Sequence, residues 1–226
     1  LERYFLEKYY YFCPIKILKM SSRNSILIIA IILLVDQFTK IYIKTNFAIN
    51  DEVVIFDWFR IHFIENEGMA WGTKIPGEYG KLFLTVFRIL AVFGIGYWLY
   101  DANTKHSSNY LLVAISLIFA GALGNIIDSV FYGVIFDDSY GHLSTLFSEN
   151  PYGTWFHGKV VDMFYFPFWE GTLPSWLPIW GGQPFKFFNA IFNIADMAIS
   201  TGVGILIVFN KKAFAKKTIV ESYRRS

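Results

Sequence analysis

A single cysteine, Cys13, among 226 residues excludes a disulfide within the chain and any cysteine-based metal site. The four histidines (His62, His106, His142 and His157) are scattered, without the paired spacing of a metalloprotease helix. We therefore expect neither a metal nor a cofactor. Charge is also scarce. Only 17% of the residues are Asp, Glu, Lys or Arg, against 54% hydrophobic residues and a mean hydropathy of +0.40. A soluble domain of this size does not need that much apolar surface, so the composition places the chain in the membrane class. The formal net charge of +2 decides little; its distribution decides more.

What the sequence does have is long apolar runs. Four of them, at about 25–47, 81–100, 110–132 and 187–209, approach the roughly 20 residues that a helix rising 1.5 Å per residue needs to cross a bilayer. Aromatics, 20% of the chain, crowd the flanks of these runs as interfacial belts do. Lys16, Lys19 and Arg23 precede the first run, Lys105 lies in the short 101–109 link, and Lys211, Lys212, Lys216, Lys217, Arg224 and Arg225 follow the last. By the positive-inside rule both termini (1–24 and 210–226) are cytoplasmic, and the long connections 48–80 and 133–186 lie outside. The first run is not a cleaved signal, because Asp36, Gln37 and Lys40 interrupt it and no small-x-small site follows. Residues 1–19 read as an extension ahead of a natural start at Met20; N-terminal sequencing of the native protein tests this.

Within the outer connections, 53–56 and 59–64 read as short strands that end in the turn-like Glu65-Asn66-Glu67-Gly68. The second connection, rich in Gly, Pro and Trp, reads as loops. The expected fold is thus a mainly α membrane protein: four transmembrane helices, a small extracytoplasmic β-sheet and a long second outer loop.

The apolar runs carry carboxylates. A charged carboxylate at the centre of a membrane helix costs at least about 2.5 kcal/mol, so such groups mark function by default. Asp36 and Lys40 are four apart and share a helix face. In Gly121-Ala122-Leu123-Gly124-Asn125-Ile126-Ile127-Asp128, small residues permit close helix approach, and Asn125 and Asp128 point into the same contact. Phe192-Asn193-Ile194-Ala195-Asp196 repeats the Asn-x-x-Asp spacing, and Asp196 should lie about 10–14 Å along its helix at 1.5 Å per residue. Asp162, in Val160-Val161-Asp162-Met163, approaches from the outer loop and can meet Asp196 near the interface. Two buried carboxylates share a proton more readily than both ionise, which suits one as base on a water and the other as acid. A second reading, a small proton- or cation-coupled transporter, also uses membrane carboxylates. Against it, the halves show no inverted repeat.

These residues resemble a known family. Asp36-Gln37-x-x-Lys40, Asn66-x-Gly68-x-Ala70-Trp71-Gly72, Gly121-Ala122-x-Gly124-Asn125-x-x-Asp128, Val160-Val161-Asp162 and Phe192-Asn193-x-Ala195-Asp196 are similar, in order and in placement, to the motifs of the lipoprotein signal peptidases (signal peptidase II). The resemblance covers nearly all of the chain after residue 20. It implies an aspartic endopeptidase of the bacterial inner membrane, blocked by the cyclic peptide globomycin. Its substrates would be diacylglyceryl-modified prolipoproteins, cut on the N-terminal side of the lipidated cysteine. The same resemblance implies Asp162 and Asp196 as the catalytic dyad. Asp36, Lys40, Asn66, Gly68, Asn125, Asp128 and Asn193 become supporting or substrate-contacting residues. The implied partners are the precursor and membrane lipid, with no nucleic acid, and the protein is expected to act as a monomer.

Two departures stand out. Ser129 follows Asp128 where the family commonly has Arg, and Arg88 is the candidate to replace it. Residues 137–158 resemble an insertion, read either as a lid over the site or as a tolerated surface loop.

Overall fold

The computed structural model describes residues 20–67 and 79–215. The expectations about residues 1–19, Gly68, the Ala70-Trp71-Gly72 stretch and the last basic residues fall outside the described residues.

Four main helices form the body: α1 (Ser22–Asn46), α2 (Gly80–Thr104), α3 (Asn109–Ile127) and α5 (Ile194–Val208). A π-helical turn (Asp128–Tyr132) and the short α4 (Gly133–Ile135) prolong α3, and α6 (Asn210–Ala213) follows α5. On α1, Leu34 and Phe38 are about three-quarters exposed while Asp36, Lys40 and Lys44 are fully buried. Such an inversion of the water-soluble pattern makes sense where lipid is the solvent and the bundle interior is the polar phase. Helix α2 likewise exposes Phe83, Phe87, Leu90, Phe93 and Tyr97. Three helices, Ser22–Asn46, Gly80–Thr104 and Asn109–Ile135, are long and apolar enough to cross a membrane; Ile194–Val208 is a shorter apolar helix.

Helix α3 is central and packs against α1, α2 and α5. Its glycines explain how closely. A Cβ on Gly121 would stand 2.2 Å from the Ala195 carbonyl oxygen, and one on Gly124 would stand 2.7 Å from Asp36 Oδ2. Such approaches exclude any side chain, so the small-residue run does set the helix crossing, as expected.

The last apolar run departs from expectation. Residues 187–193 are not helical: Pro184–Phe187 is strand β5, Ile191–Phe192 is strand β6, and α5 starts only at Ile194. Hydropathy alone read this aromatic stretch as helix. In the fold its backbone groups are claimed by sheet pairing, Phe164 opposite Phe192 and Tyr165 opposite Ile191.

Strands β1 (Glu52–Phe56) and β2 (Phe59–Asn66) match the two expected strands and pair antiparallel, although β2 continues into the stretch read as a turn. The second connection is not merely loops. It supplies β3 (Val160–Tyr165), a separate hairpin of β4 (Trp169–Thr172) and β5, and then β6. The main sheet runs β1-β2-β3-β6, with Ile64 opposite Asp162 and Asn66 opposite Val160. A buried cluster of Ile43, Phe63, Tyr132, Phe136, Val161 and Met163 fastens this sheet to the ends of α1 and α3.

Segment 137–158 is also fastened. Ile49 N donates to Ser139 O at 2.9 Å, Tyr152 N to Phe136 O at 2.9 Å, and Gly158 N to Ser129 O at 2.9 Å. Thus the segment is docked against the C-terminal ends of α1 and α3.

Candidate active site

The site is built around the start of α5. Asn193 caps the helix: its Oδ1 accepts from Asp196 N at 2.9 Å, and Asp196 Oδ2 accepts from Asn193 N at 3.4 Å. This reciprocal box places Asp196 in the first helical turn, where unpaired N–H groups and the helix dipole favour an anion. The sequence had placed Asp196 deeper along a longer helix. The late start of α5 corrects that depth.

The other face of Asn193 serves Asp162. Its Nδ2 donates to Asp162 Oδ1 at 2.7 Å and to Asn125 Oδ1 at 3.1 Å. Asn66, from the neighbouring strand, donates to Asp162 Oδ2 at 3.0 Å, and Asn125 Nδ2 donates to Asp196 Oδ1 at 2.9 Å. Three asparagines therefore hold two carboxylates, and Asn193 touches both.

Asp162 is 1% exposed. Burial and then the charge of Asp196 raise its pKa to about 7, against the opposing pull of Asn66, Lys40 and Asn193. Burial and the neighbouring carboxylate therefore favour the protonated form of Asp162.

Beneath the dyad lies a second polar layer inside the helices. Lys40 Nζ pairs with Asp36 at 3.0 Å and Asp128 at 2.7 Å, and donates to Asn125 Oδ1 at 2.8 Å. Those three partners match the three protons of an ammonium. Asp36 Oδ1 in turn accepts from Ala195 N at 2.9 Å, satisfying another N–H at the start of α5. Asp36, Lys40, Asn125 and Asp128 therefore meet, as the spacing on α1 and α3 suggested. Gln37, whose Nε2 donates to Asp128 Oδ1 at 2.9 Å, and Tyr132, whose hydroxyl donates to Gln37 Oε1 at 3.2 Å, complete the layer. Tyr132 carried no signal in the sequence, because its role depends on the π-helical turn after α3.

The dyad opens onto a cavity of about 1340 Å³ lined by Asn66, Arg88, Asn125, Asp162, Phe192 and Asp196, among others. Ser129, by contrast, is buried and donates its hydroxyl back to Asn125 O at 2.9 Å. Arg88 reaches the cavity from α2, and its charge interacts with Asp196, Asp162 and Asp128 in that order. Among the described residues no group of three or more His, Cys, Asp and Glu is arranged to hold a metal ion.

A third group went unforeseen. Lys44, at the end of α1, pairs with Glu65, whose other oxygen accepts from Lys159 Nζ at 3.1 Å. Ser139 and Tyr152 of the inserted segment close around it, through a Lys44 Nζ to Ser139 Oγ bond of 2.9 Å and a Lys159 N to Tyr152 hydroxyl bond of 2.7 Å. Burial alone would raise Glu65, but the charges of Lys44 and Lys159 hold it below the usual carboxylate range.

The comparisons agree with one another. A family model described as Signal peptidase (SPase) II matches residues 28–211. A lipoprotein signal peptidase of Porphyromonas gingivalis is 47% identical over 201 residues, covering 86% of this chain and 88% of that protein. One from Amoebophilus asiaticus is 35% identical over 192 residues, covering 82% and 76%. Among solved structures, a bacterial membrane enzyme determined by the in meso method at 2.3 Å superposes with a TM-score of 0.59 at 27% identity, covering 88% of this chain and 96% of that one. A second, at 1.9 Å, gives 0.56 at 29% identity, covering 88% and 97%.

Proposed function

The chain belongs to the signal peptidase II family, and from that premise we propose an aspartic mechanism for it. It is a multi-pass membrane peptidase that removes signal peptides from prolipoproteins. In the finer reading it cuts diacylglyceryl-modified precursors before the lipidated cysteine, using Asp162 and Asp196. The observation that carries this reading is Asn193 bonded to both carboxylates, through its side-chain amide to Asp162, buried in a strand, and through its backbone N–H to Asp196, at a helix N-terminus.

The roles follow from the two environments. Asp162, buried and raised to about 7, holds the shared proton and donates it to the scissile carbonyl oxygen. Asp196 carries the charge, fixed by Asn125 and by the start of α5, and takes a proton from the attacking water. Water oxygen bonds to the carbonyl carbon and gives a tetrahedral diol. As the C–N bond breaks, Asp196 returns its proton to the leaving amine, and Asp162 recovers one from the diol. Asn66, Asn125 and Asn193 position the dyad, while Lys40 balances Asp36 and Asp128 beneath it. Arg88 supplies the cation that position 129 lacks.

The four apolar helices would span the inner membrane with both termini cytoplasmic, α5 being completed by its flanking residues. In that orientation the dyad would lie at the outer leaflet, where an acylated substrate can slide in from the bilayer. A single chain contains the whole site, consistent with action as a monomer.

The test is mass measurement of a diacylglyceryl-modified precursor peptide incubated with the detergent-purified protein. Cleavage before the cysteine, inhibited by globomycin and lost in Asp162→Asn and Asp196→Asn, is the expected result. Substantial cleavage by either variant overturns the assignment.

A further inference from the structure

The lining of the cavity is uneven. Its apolar arm, Phe188, Ile191, Phe192 and Met197, lies toward α5 and β6 with Asn189, Ser200 and Thr201 interspersed; its polar arm, beside the inserted segment, holds Glu65, Tyr140 and Lys159. Resting on the proposed function, we propose that this polar arm is the binding subsite for the polypeptide that follows the cleaved bond, and that the inserted segment contributes its wall.

Three observations carry the assignment. First, topology directs the substrate. A membrane precursor keeps its apolar signal among the helices and its mature chain in water, so the apolar arm suits the former and the polar arm the latter. Second, the cavity is continuous: Asp162 and Asp196 line it together with Tyr140 and Lys159, and the backbone from Lys159 to Asp162 spans about 10 Å at about 3.3 Å per extended residue, the length of three residues of bound peptide. Third, the wall is held still. The Lys44–Glu65–Lys159 chain of charges is locked under Ser139 and Tyr152, and Lys159 Nζ lies 5.4 Å from the Tyr140 ring centre and 5.3 Å from that of Tyr152. Tyr140 itself is 61% exposed. A fixed aromatic face beside an ammonium offers an extended polar peptide stacking and hydrogen-bonding partners without an ordering cost at binding.

The segment thus acts neither as a lid nor as a passive surface loop. It is a buttressed wall that extends the substrate groove beyond the dyad.

Two diacylglyceryl-modified precursors separate this subsite from the catalytic reading. One ends as an amide one residue after the cysteine; the other continues for ten residues. With the unaltered protein the longer precursor should show the lower KM. Tyr140→Ala and Lys159→Met should each lower kcat/KM for the long precursor about fivefold or more beyond any loss on the short one, chiefly through KM. Because Tyr140 is largely exposed, its replacement leaves folding intact, and Tyr140→Phe should keep most of the discrimination. A benzophenone amino acid at position 140 should crosslink to residues about three beyond the cysteine, the number set by the strand rise. Equal losses on both precursors, no loss on either, or crosslinks only to the signal segment would overturn the proposal. Failure of the unaltered protein to cut either precursor would instead overturn the peptidase reading on which it rests.

Discussion

Asn193 donates its amide to Asp162 Oδ1 at 2.7 Å while its own oxygen caps the helix whose first turn carries Asp196. One side chain therefore sets both the start of α5 and the orientation of its partner carboxylate. Removing it should cost more than an ordinary cap. Asn193→Ala forfeits a cap worth about 0.5–2 kcal/mol and leaves buried acceptors short of a donor at about 1–3 kcal/mol. We expect a lower melting temperature and a kcat reduced at least about a hundredfold, as for misplaced reacting groups. Asn193→Asp keeps the cap but repels Asp162, so it should recover stability near pH 5 more than activity. An Asn193→Ala variant with near-normal kcat would contradict this role.

The Asp162 pKa of about 7 makes a signed prediction. A buried carboxyl whose folded pKa lies above its unfolded value stabilises the protein below the unfolded pKa, and that contribution is lost as pH rises through the folded one. Between pH 5 and pH 7 the native protein should lose about 2–3 kcal/mol through this group, at 1.36 kcal/mol per unit. Asp162→Asn cannot ionise. Its melting temperature relative to the unaltered protein should therefore climb from pH 5 to pH 8, although the variant is inactive. A constant difference across that range would show that Asp162 is not held protonated.

Activity should follow the same group. If Asp162 supplies the proton to the carbonyl, kcat/KM falls as pH rises through about 7. The alkaline limb should move when Asn66→Ala removes a bond that lowers this pKa, and it should move upward. A limb that stays in place in the Asn66 variant would assign the titration to another group.

Lys40 separates structure from chemistry. It answers Asp36, Asp128 and Asn125 at once, so Lys40→Met leaves two buried carboxylates without their cation. The expected cost is about 3–5 kcal/mol, as for breaking buried ion pairs. Adding Asp128→Asn removes one of the stranded charges and should restore part of it. Additive losses in the double variant, measured by thermal melts in detergent, would mean that the three groups do not form one network.

Chelators should leave cleavage unchanged, because the proposed proton transfers use only Asp162, Asp196 and water. Loss of activity in a chelator, with recovery on adding one metal, would replace that mechanism.

Much of this site was legible in the chain itself. Helical spacing put Asp36 and Lys40 on one face and Asn125 and Asp128 on another, and lipid gives charged groups so little choice that they had to meet inside. The glycines at 121 and 124 foretold the close crossing for the same local reason. Pairing across the sheet was a different matter. That 187–192 would be extended rather than helical, that Asp196 would sit in the first turn of α5, and that β3 and β6 would join the sheet depended on which distant backbone groups claimed their hydrogen bonds. Hydropathy is blind to such competition, because an aromatic run satisfies helix and strand equally. The Lys44–Glu65–Lys159 chain lay further out of reach, since its members are 21 and 94 residues apart and are brought together only by sheet register and the docked insertion. Local periodicity decided which groups must be buried; long-range pairing decided which of them would touch.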